Sequence, residues 1–317
     1  MKKIVGIVST VLSACLWAFA PTAGAVQVFT TAPEWAALVR EIGGEDVIVS
    51  VATTGLQDPH RIQAKPSLIT AARSADLVVA NGAELEVAWL PLVIRASGNA
   101  QIQPGRPGYF EAAAYVRLIE APVLLDRSQG DVHPLGNPHI HGDPRNMLSV
   151  GRALAARLAQ IDPKNAAAYS DRYKRFTGTM RASIAVWERD AAPLRGVPIL
   201  VQHKVFSYLE SWLGIEEVGA LEAIPGVEPS GAHLADILAR QAGNPARMVI
   251  YPAYQDDTPS RWVAERAKIP VVLLPSTLGG TPDASNLYKY YESMVRRLLD
   301  GLKSGGGARN GNSQAHD

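Results

Sequence analysis

Cysteine is almost missing from this 317-residue chain: the single one, Cys15, lies in an apolar N-terminal segment. Beyond that segment no disulfide can form and no thiolate can hold a metal. A metal site would therefore have to be built from His, Asp and Glu, donors that suit zinc or manganese better than copper(I). A charge imbalance is missing too. The 31 Lys and Arg stand against 30 Asp and Glu without a basic stripe, which argues against nucleic acid as a partner. After the N-terminal segment no apolar run is long enough to span a bilayer. His-Glu-x-x-His does not occur and the seven histidines are dispersed, which counts against an exported zinc hydrolase.

What is present begins with an export signal. Lys2 and Lys3 precede the almost wholly apolar stretch Ile4 to Ala20, and Ala23-Gly24-Ala25 follows as a small-x-small cleavage site. Pro21 and Gly24 interrupt the run, so residues 1–25 read as a secretory signal rather than a membrane anchor. Leu12-Ser13-Ala14-Cys15 offers a competing lipoprotein site, although the apolar run continues through Leu16, Trp17 and Phe19. Cleavage near Ala25 predicts a soluble periplasmic protein; a lipid anchor on Cys15 is the alternative. The mature chain would carry 29 basic and 30 acidic side chains.

Short apolar runs recur at Val26–Phe29, Val47–Val51, Leu77–Ala80, Val123–Leu125, Pro198–Val201, Met248–Tyr251 and Val271–Leu274. Amphipathic stretches lie between them, at 34–42, 66–74, 144–159, 234–241 and 259–268. This alternation predicts an α/β fold of mostly parallel sheets flanked by helices. Between Pro163 and Pro193, Tyr169, Tyr173, Phe176, Met180, Ile184 and Trp187 recur every three or four residues, one face of a long helix over 163–192. The expected organisation is a first lobe over 26–146, a connecting helical region over 147–196 and a second lobe over 197–303. The Gly- and Asn-rich tail, 304–317, is expected to be disordered.

Four residues stand just past strands: His60 after Val47–Val51, His139 in Asn137-Pro138-His139, His203 directly after Pro198–Val201, and Asp283 after Val271–Leu274. In parallel sheets ligands bind beyond the carboxyl ends of strands. Three imidazoles and a carboxylate make a closed tetrahedral zinc set with no position for an activated water. Singly, each has a plainer reading: a loop His is commonly solvated, and Asp283 after Pro282 is a natural helix cap. His133 and His141 crowd the His139 loop as weaker ligand candidates, while His233 and His316 are assigned no site role.

The motifs around these residues resemble the metal-binding solute-binding proteins of zinc and manganese ABC importers, the ZnuA- and AztC-like group. They are Asp58-Pro59-His60, Ala75 to Glu86, Asn137-Pro138-His139 with Asp143-Pro144, Gln202 to Leu209, Glu228-Pro229-Ser230, and Asp283 through Tyr291. The likeness extends from about Val26 to Leu302. It implies two lobes, a rigid connecting helix, a metal ion bound in the cleft as cargo, and a membrane permease as partner, with no enzymatic activity. A metallochaperone that loads the site and a monomeric state belong to the same expectation. Manganese-specific members place a carboxylate where this chain has His203, which points to zinc; a manganese-binding carrier or adhesin is the alternative. The chain departs from the group in having His141 for the usual aromatic residue and no long His-rich loop.

Overall fold

Most of the short apolar runs become strands at or within one residue of their expected positions. The computed structural model describes residues 24–122, 130–131, 133–241 and 243–310. The expected signal up to residue 23, the strand Val123–Leu125, His316 and the end of the tail lie outside the described residues.

The first sheet comprises β1 (Val26–Thr30), β2 (Val47–Val51), β3 (Leu77–Ala80) and β4 (Tyr109–Glu111). The second comprises β5 (Pro198–Val201), β6 (Glu216–Ala220), β7 (Val249–Pro252) and β8 (Val271–Leu274). Their orders are β2-β1-β3-β4 and β6-β5-β7-β8, and every pairing is parallel. The two lobes thus share one topology although their sequences show no usable repeat. β3 is buried along its whole length, as a strand covered on both faces must be. β4 and β6 were not expected. One is three residues long, and Glu-Glu-Val-Gly-Ala in the other is half-exposed at a sheet edge.

Helices α1 (Pro33–Gly43), α2 (Pro66–Arg73) and α3 (Leu90–Ser97) belong to the first lobe. α4 (Pro144–Ile161) leads into α5 (Ala166–Asp190). The second lobe adds α6 (Ser207–Leu213), α7 (Gly231–Arg240), α8 (Thr258–Ala267) and α9 (Leu287–Asn310). α5 is the expected long helix, shortened at its start because residues 163–165 form a separate 3-10 turn. Its 25 residues rise by about 37 Å. Tyr169, Phe176, Met180, Ile184 and Trp187 are its buried face. They join a core cluster that includes Leu38 and Ile42 of α1, Val150 of α4, and Tyr291 and Met294 of α9. One core therefore runs through both lobes. α9 continues past Ser304 into the stretch expected to be disordered, and at Gly305 an added Cβ would lie 3.0 Å from the Arg247 carbonyl oxygen.

The lobes also meet through loops. An added Cβ at Gly55 would lie 2.3 Å from the backbone nitrogen of Gly280, so only glycine permits that approach. Within the first lobe, buried Glu86 ties the ends of β1 and β3 together. Its Oε1 accepts from Thr31 Oγ1 at 2.5 Å and Asn81 N at 2.8 Å, and its Oε2 from Gly82 N at 3.2 Å. Burial nevertheless pushes its carboxyl up to about 6. Replacing it by alanine would leave buried donors unpaired, at 1–3 kcal/mol for each uncompensated group. Glu86→Ala should therefore destabilise the protein by roughly 3 kcal/mol or more, read by urea unfolding; an unchanged midpoint would show that these bonds carry no net stability.

Candidate metal site

His60, His139 and His203 converge. Their ring centroids lie 5.4 Å (His60–His139), 6.3 Å (His60–His203) and 6.1 Å (His139–His203) apart, with the rings nearly perpendicular. All three are buried, at 7%, 3% and 5% relative exposure. They line a cavity of about 290 Å³ together with His133, Glu120, Asp131 and Lys204.

The backbone delivers each ring by a separate device. Trp89 Nε1 donates to the Pro59 carbonyl at 2.9 Å, fixing the residue before His60. Asn81 Nδ2 donates to the Pro138 carbonyl at 2.8 Å, fixing the residue before His139. Asn137 Oδ1 accepts from His139 N at 2.9 Å, while its Nδ2 donates to Glu120 Oε2 at 2.9 Å and to the Lys204 carbonyl at 2.8 Å. Asp143 then caps α4, accepting from Arg145 N, with Pro144 in the first turn, which accounts for the Asp-Pro pair of that motif. His203 needs less support, because it stands two residues beyond β5.

Two carboxylates that the sequence reading did not assign set the histidine tautomers. His60 Nδ1 lies 2.8 Å from Asp58 Oδ1, and His203 Nδ1 lies 2.6 Å from Glu222 Oε2. Each carboxylate takes the Nδ1–H and leaves Nε2 as the free donor to a metal, the arrangement that orients metal-binding imidazoles. Asp58 was within reach of sequence reasoning, two residues before His60. Glu222 lies 19 residues from His203, and only the pairing of β5 with β6 brings it there.

His133 is nearer the centre than expected. Its Nε2 lies 3.2 Å from His60 Nε2. Two nitrogens of a tetrahedral zinc site, each about 2.05 Å from the metal, stand roughly 3.3 Å apart. Burial pushes the His133 imidazole down to about 4 and that of His139 well below its ordinary range, with the His60 charge adding to both. For His133 and His139 burial thus favours the neutral ring, the form that binds metal. Among the described residues no group of three or more His, Cys, Asp or Glu side chains stands in an arrangement that could hold a metal ion.

Asp283 is placed differently. It does not line the histidine cavity. Ser293 Oγ at 2.8 Å and Arg296 hold its Oδ2, and Arg297 holds its Oδ1 at 2.8 Å. The Arg297 hydrogen bond keeps its carboxyl well below the usual range against the opposing effect of burial. His141 sits 6.3 Å from the His139 ring but turns toward the lobe seam, its Nε2 2.7 Å from the Ser276 carbonyl oxygen. The cavity is thus lined by His60, His133 and His139 of the first lobe and His203 of the second, and Asp283 is not among its lining residues. His233 lies elsewhere, its Nε2 3.0 Å from the Ala220 carbonyl oxygen.

The family model of the periplasmic zinc-uptake complex component A, ZnuA, matches residues 28–305. The manganese ABC transporter substrate-binding lipoprotein PsaA of Streptococcus pneumoniae is 21% identical, covering 95% of this chain and 99% of its own length. The high-affinity zinc uptake protein ZnuA of Brucella abortus is 22% identical over 52% of this chain and 48% of its own. Among solved structures, a ZnuA crystal structure superposes with TM-score 0.71 at 20% identity, covering 88% of this chain and 99% of that one. A manganese-bound periplasmic metal-binding protein from Candidatus Liberibacter asiaticus gives TM-score 0.71 at 16% identity, covering 87% and 98%. No helix among the described residues is long and apolar enough to cross a membrane.

The electrostatics beside the site provide a pH test. Glu210 of α6 has a buried, unpartnered Oε1, and burial, with Glu217 and Glu120, pushes its carboxyl up to about 8. The unfolded value is about 4.3, so the folded state holds the proton more tightly across that interval. Its contribution to stability is then greatest at low pH and is lost as pH rises from about 4.3 to about 8. Glu210→Gln should flatten that slope, raising the melting temperature above wild type at pH 8.5 and changing it little at pH 5. Parallel pH profiles for the two proteins would count against the assignment.

Proposed function

This chain belongs to the periplasmic zinc-uptake component A family, and from that premise we propose that it captures zinc in the cleft between its lobes for delivery to the permease of an ABC importer. The observation that carries the reading is the convergence of His60, His139 and His203 in one buried pocket, with carboxylates on the Nδ1 atoms of two of them. The relatives are substrate-binding proteins of metal transporters, named for manganese in one case and zinc in another. Family membership sets the role as metal binding; the donor set argues for zinc.

In the proposed site, His60, His139 and His203 bind through Nε2 and His133 supplies the fourth nitrogen, at the separation from His60 that a tetrahedral ion requires. Four imidazoles suit zinc, whereas manganese prefers more oxygen. A four-nitrogen site leaves no position for an activated water and so suits carriage rather than hydrolysis. The protein works as an exported monomer, released from its signal near Ala25, with loading by a periplasmic metallochaperone as an added route. One observation favours the manganese reading: Glu120 and Asp131 border the same cavity and could supply oxygen donors.

Titrating the metal-free protein with zinc and with manganese, in competition with a chelator, separates the two. Zinc should bind one per chain and far more tightly than manganese. Removing a partner that merely orients a ligand costs about 10- to 100-fold, so losing a ligand outright in His203→Ala or His133→Ala should weaken zinc by more than about 100-fold. Asp283→Asn should lower the melting temperature and leave zinc affinity within about threefold, since its partners are arginines and a serine. Manganese binding that rivals zinc, or a loss of affinity in Asp283→Asn matching that in His203→Ala, would overturn this assignment.

A further inference from the structure

His60 and His203 each have a carboxylate on Nδ1, but His139, the most buried of the three, has none. We propose that its orienting partner is one buried water, held jointly by His139 Nδ1, His141 Nδ1 and Glu34 Oε1. Glu34 thereby becomes a positioning residue for the metal site. The functional side of this inference rests on the reading of His139 as a metal ligand.

The Nδ1 atoms of His139 and His141 are both buried without a hydrogen-bond partner. The protons can be placed by elimination. His141 Nε2 lies 2.7 Å from the Ser276 carbonyl oxygen. A carbonyl only accepts, so Nε2 carries a proton; in the proposed arrangement the ring is neutral and its Nδ1 is an acceptor. Glu34 Oε1 faces that nitrogen at 3.4 Å, which is long for a hydrogen bond and sets one acceptor against another. A donor is needed between them. His139, with Nε2 turned to the metal pocket, has the opposite need: its Nδ1–H requires an acceptor.

A single water meets all three demands. It accepts from His139 Nδ1–H and donates one hydrogen to His141 Nδ1 and the other to Glu34 Oε1. Three polar partners is the usual complement of a buried water. The space exists as well. His139, His141 and Glu34 border one cavity of about 20 Å³, room for about one water.

Glu34 is fixed for this task. It is 2% exposed, and Thr277 Oγ1 donates to its Oε2. Ser276 and Thr277 follow β8 in the second lobe, while Glu34 lies in α1 of the first. Tyr291 Oη of α9 donates to the His141 carbonyl at 2.8 Å. The group that aims His139 is therefore held from both lobes, and parting them would loosen it.

The test uses metal-free, 15N-labelled protein at pH 8. Histidine nitrogen NMR should find His139 protonated at Nδ1 and His141 at Nε2. A high-resolution crystal structure should show water about 2.6–3.2 Å from all three atoms. Glu34→Leu should mix the His139 tautomers and weaken zinc binding by about 10- to 100-fold. Glu34→Gln, which keeps an oxygen acceptor, should restore most of both. His139 protonated at Nε2 in the wild type, a doubly protonated His141, a dry cavity, or an unaltered tautomer in Glu34→Leu would each overturn the proposal. If Glu34→Leu fails to fold, the wild-type spectrum and the water still decide. These readings need no metal, so a failed zinc titration alone would count against the transport reading and leave the water in place.

Discussion

Imidazoles crowded into one buried pocket are the constraint on which the rest of this structure depends. Rings with centroids 5–6 Å apart would repel one another if charged, and burial penalises the charge further. Each ring also needs a partner that decides which nitrogen faces the pocket. Asp58 and Glu222 do this for His60 and His203. These carboxylates face away from the cavity that the histidines line. The pocket is thereby left rich in nitrogen lone pairs, an arrangement that suits a borderline cation better than a hard one.

That arrangement needs an unusually fixed backbone, and the two sheets supply it. Both lobes place their first strand, β1 or β5, inside a four-stranded parallel sheet with the next strand on one side and the third on the other. The crossing between those sides opens a crevice at the carboxyl ends of the strands. His203 hangs directly from β5. His60 and His139 lie in longer loops and depend on side chains that reach back to them: Trp89 to Pro59, Asn81 to Pro138, and Asn137 across to the chain at Lys204. Glu86 holds Asn81 from below. The acidic and amide residues of the 81–86 motif thus belong to the site without touching it.

Much of this was legible in the sequence, and what was not has physical reasons. Strands buried on both faces, such as Leu77–Ala80, announce themselves by apolar content alone. Edge strands such as Glu216–Ala220 do not, because half their surface faces water. The long helix was visible in the spacing of Tyr169 through Trp187, although its first turn tightened to a 3-10 conformation. His60, His139 and His203 could be chosen because each stands just past a strand. Glu222 could not, since nothing local marks it and its partner arrives through sheet pairing. Asp283 looked equivalent to the histidines from its position after β8. No linear pattern shows that Arg296 and Arg297, three turns along α9, reach back to its carboxylate.

The placement of the histidines also bears on how cargo would leave. On the proposed reading, His60, His133 and His139 come from one lobe and His203 alone from the other. A lobe movement that withdrew His203 would leave a three-nitrogen half-site with an open position, and zinc sites of that kind exchange ligands readily with water. The core resists large separation, because α1, α4, α5 and α9 bury their apolar faces against one another across both lobes. Release then demands only a local shift. On that reading a shift of the His203 loop between β5 and α6 would release the ion while α5 and the shared core stay intact. A rigid spine and a single ligand from the second lobe are compatible for that reason: the spine limits the movement, and the 3:1 division makes a small movement sufficient.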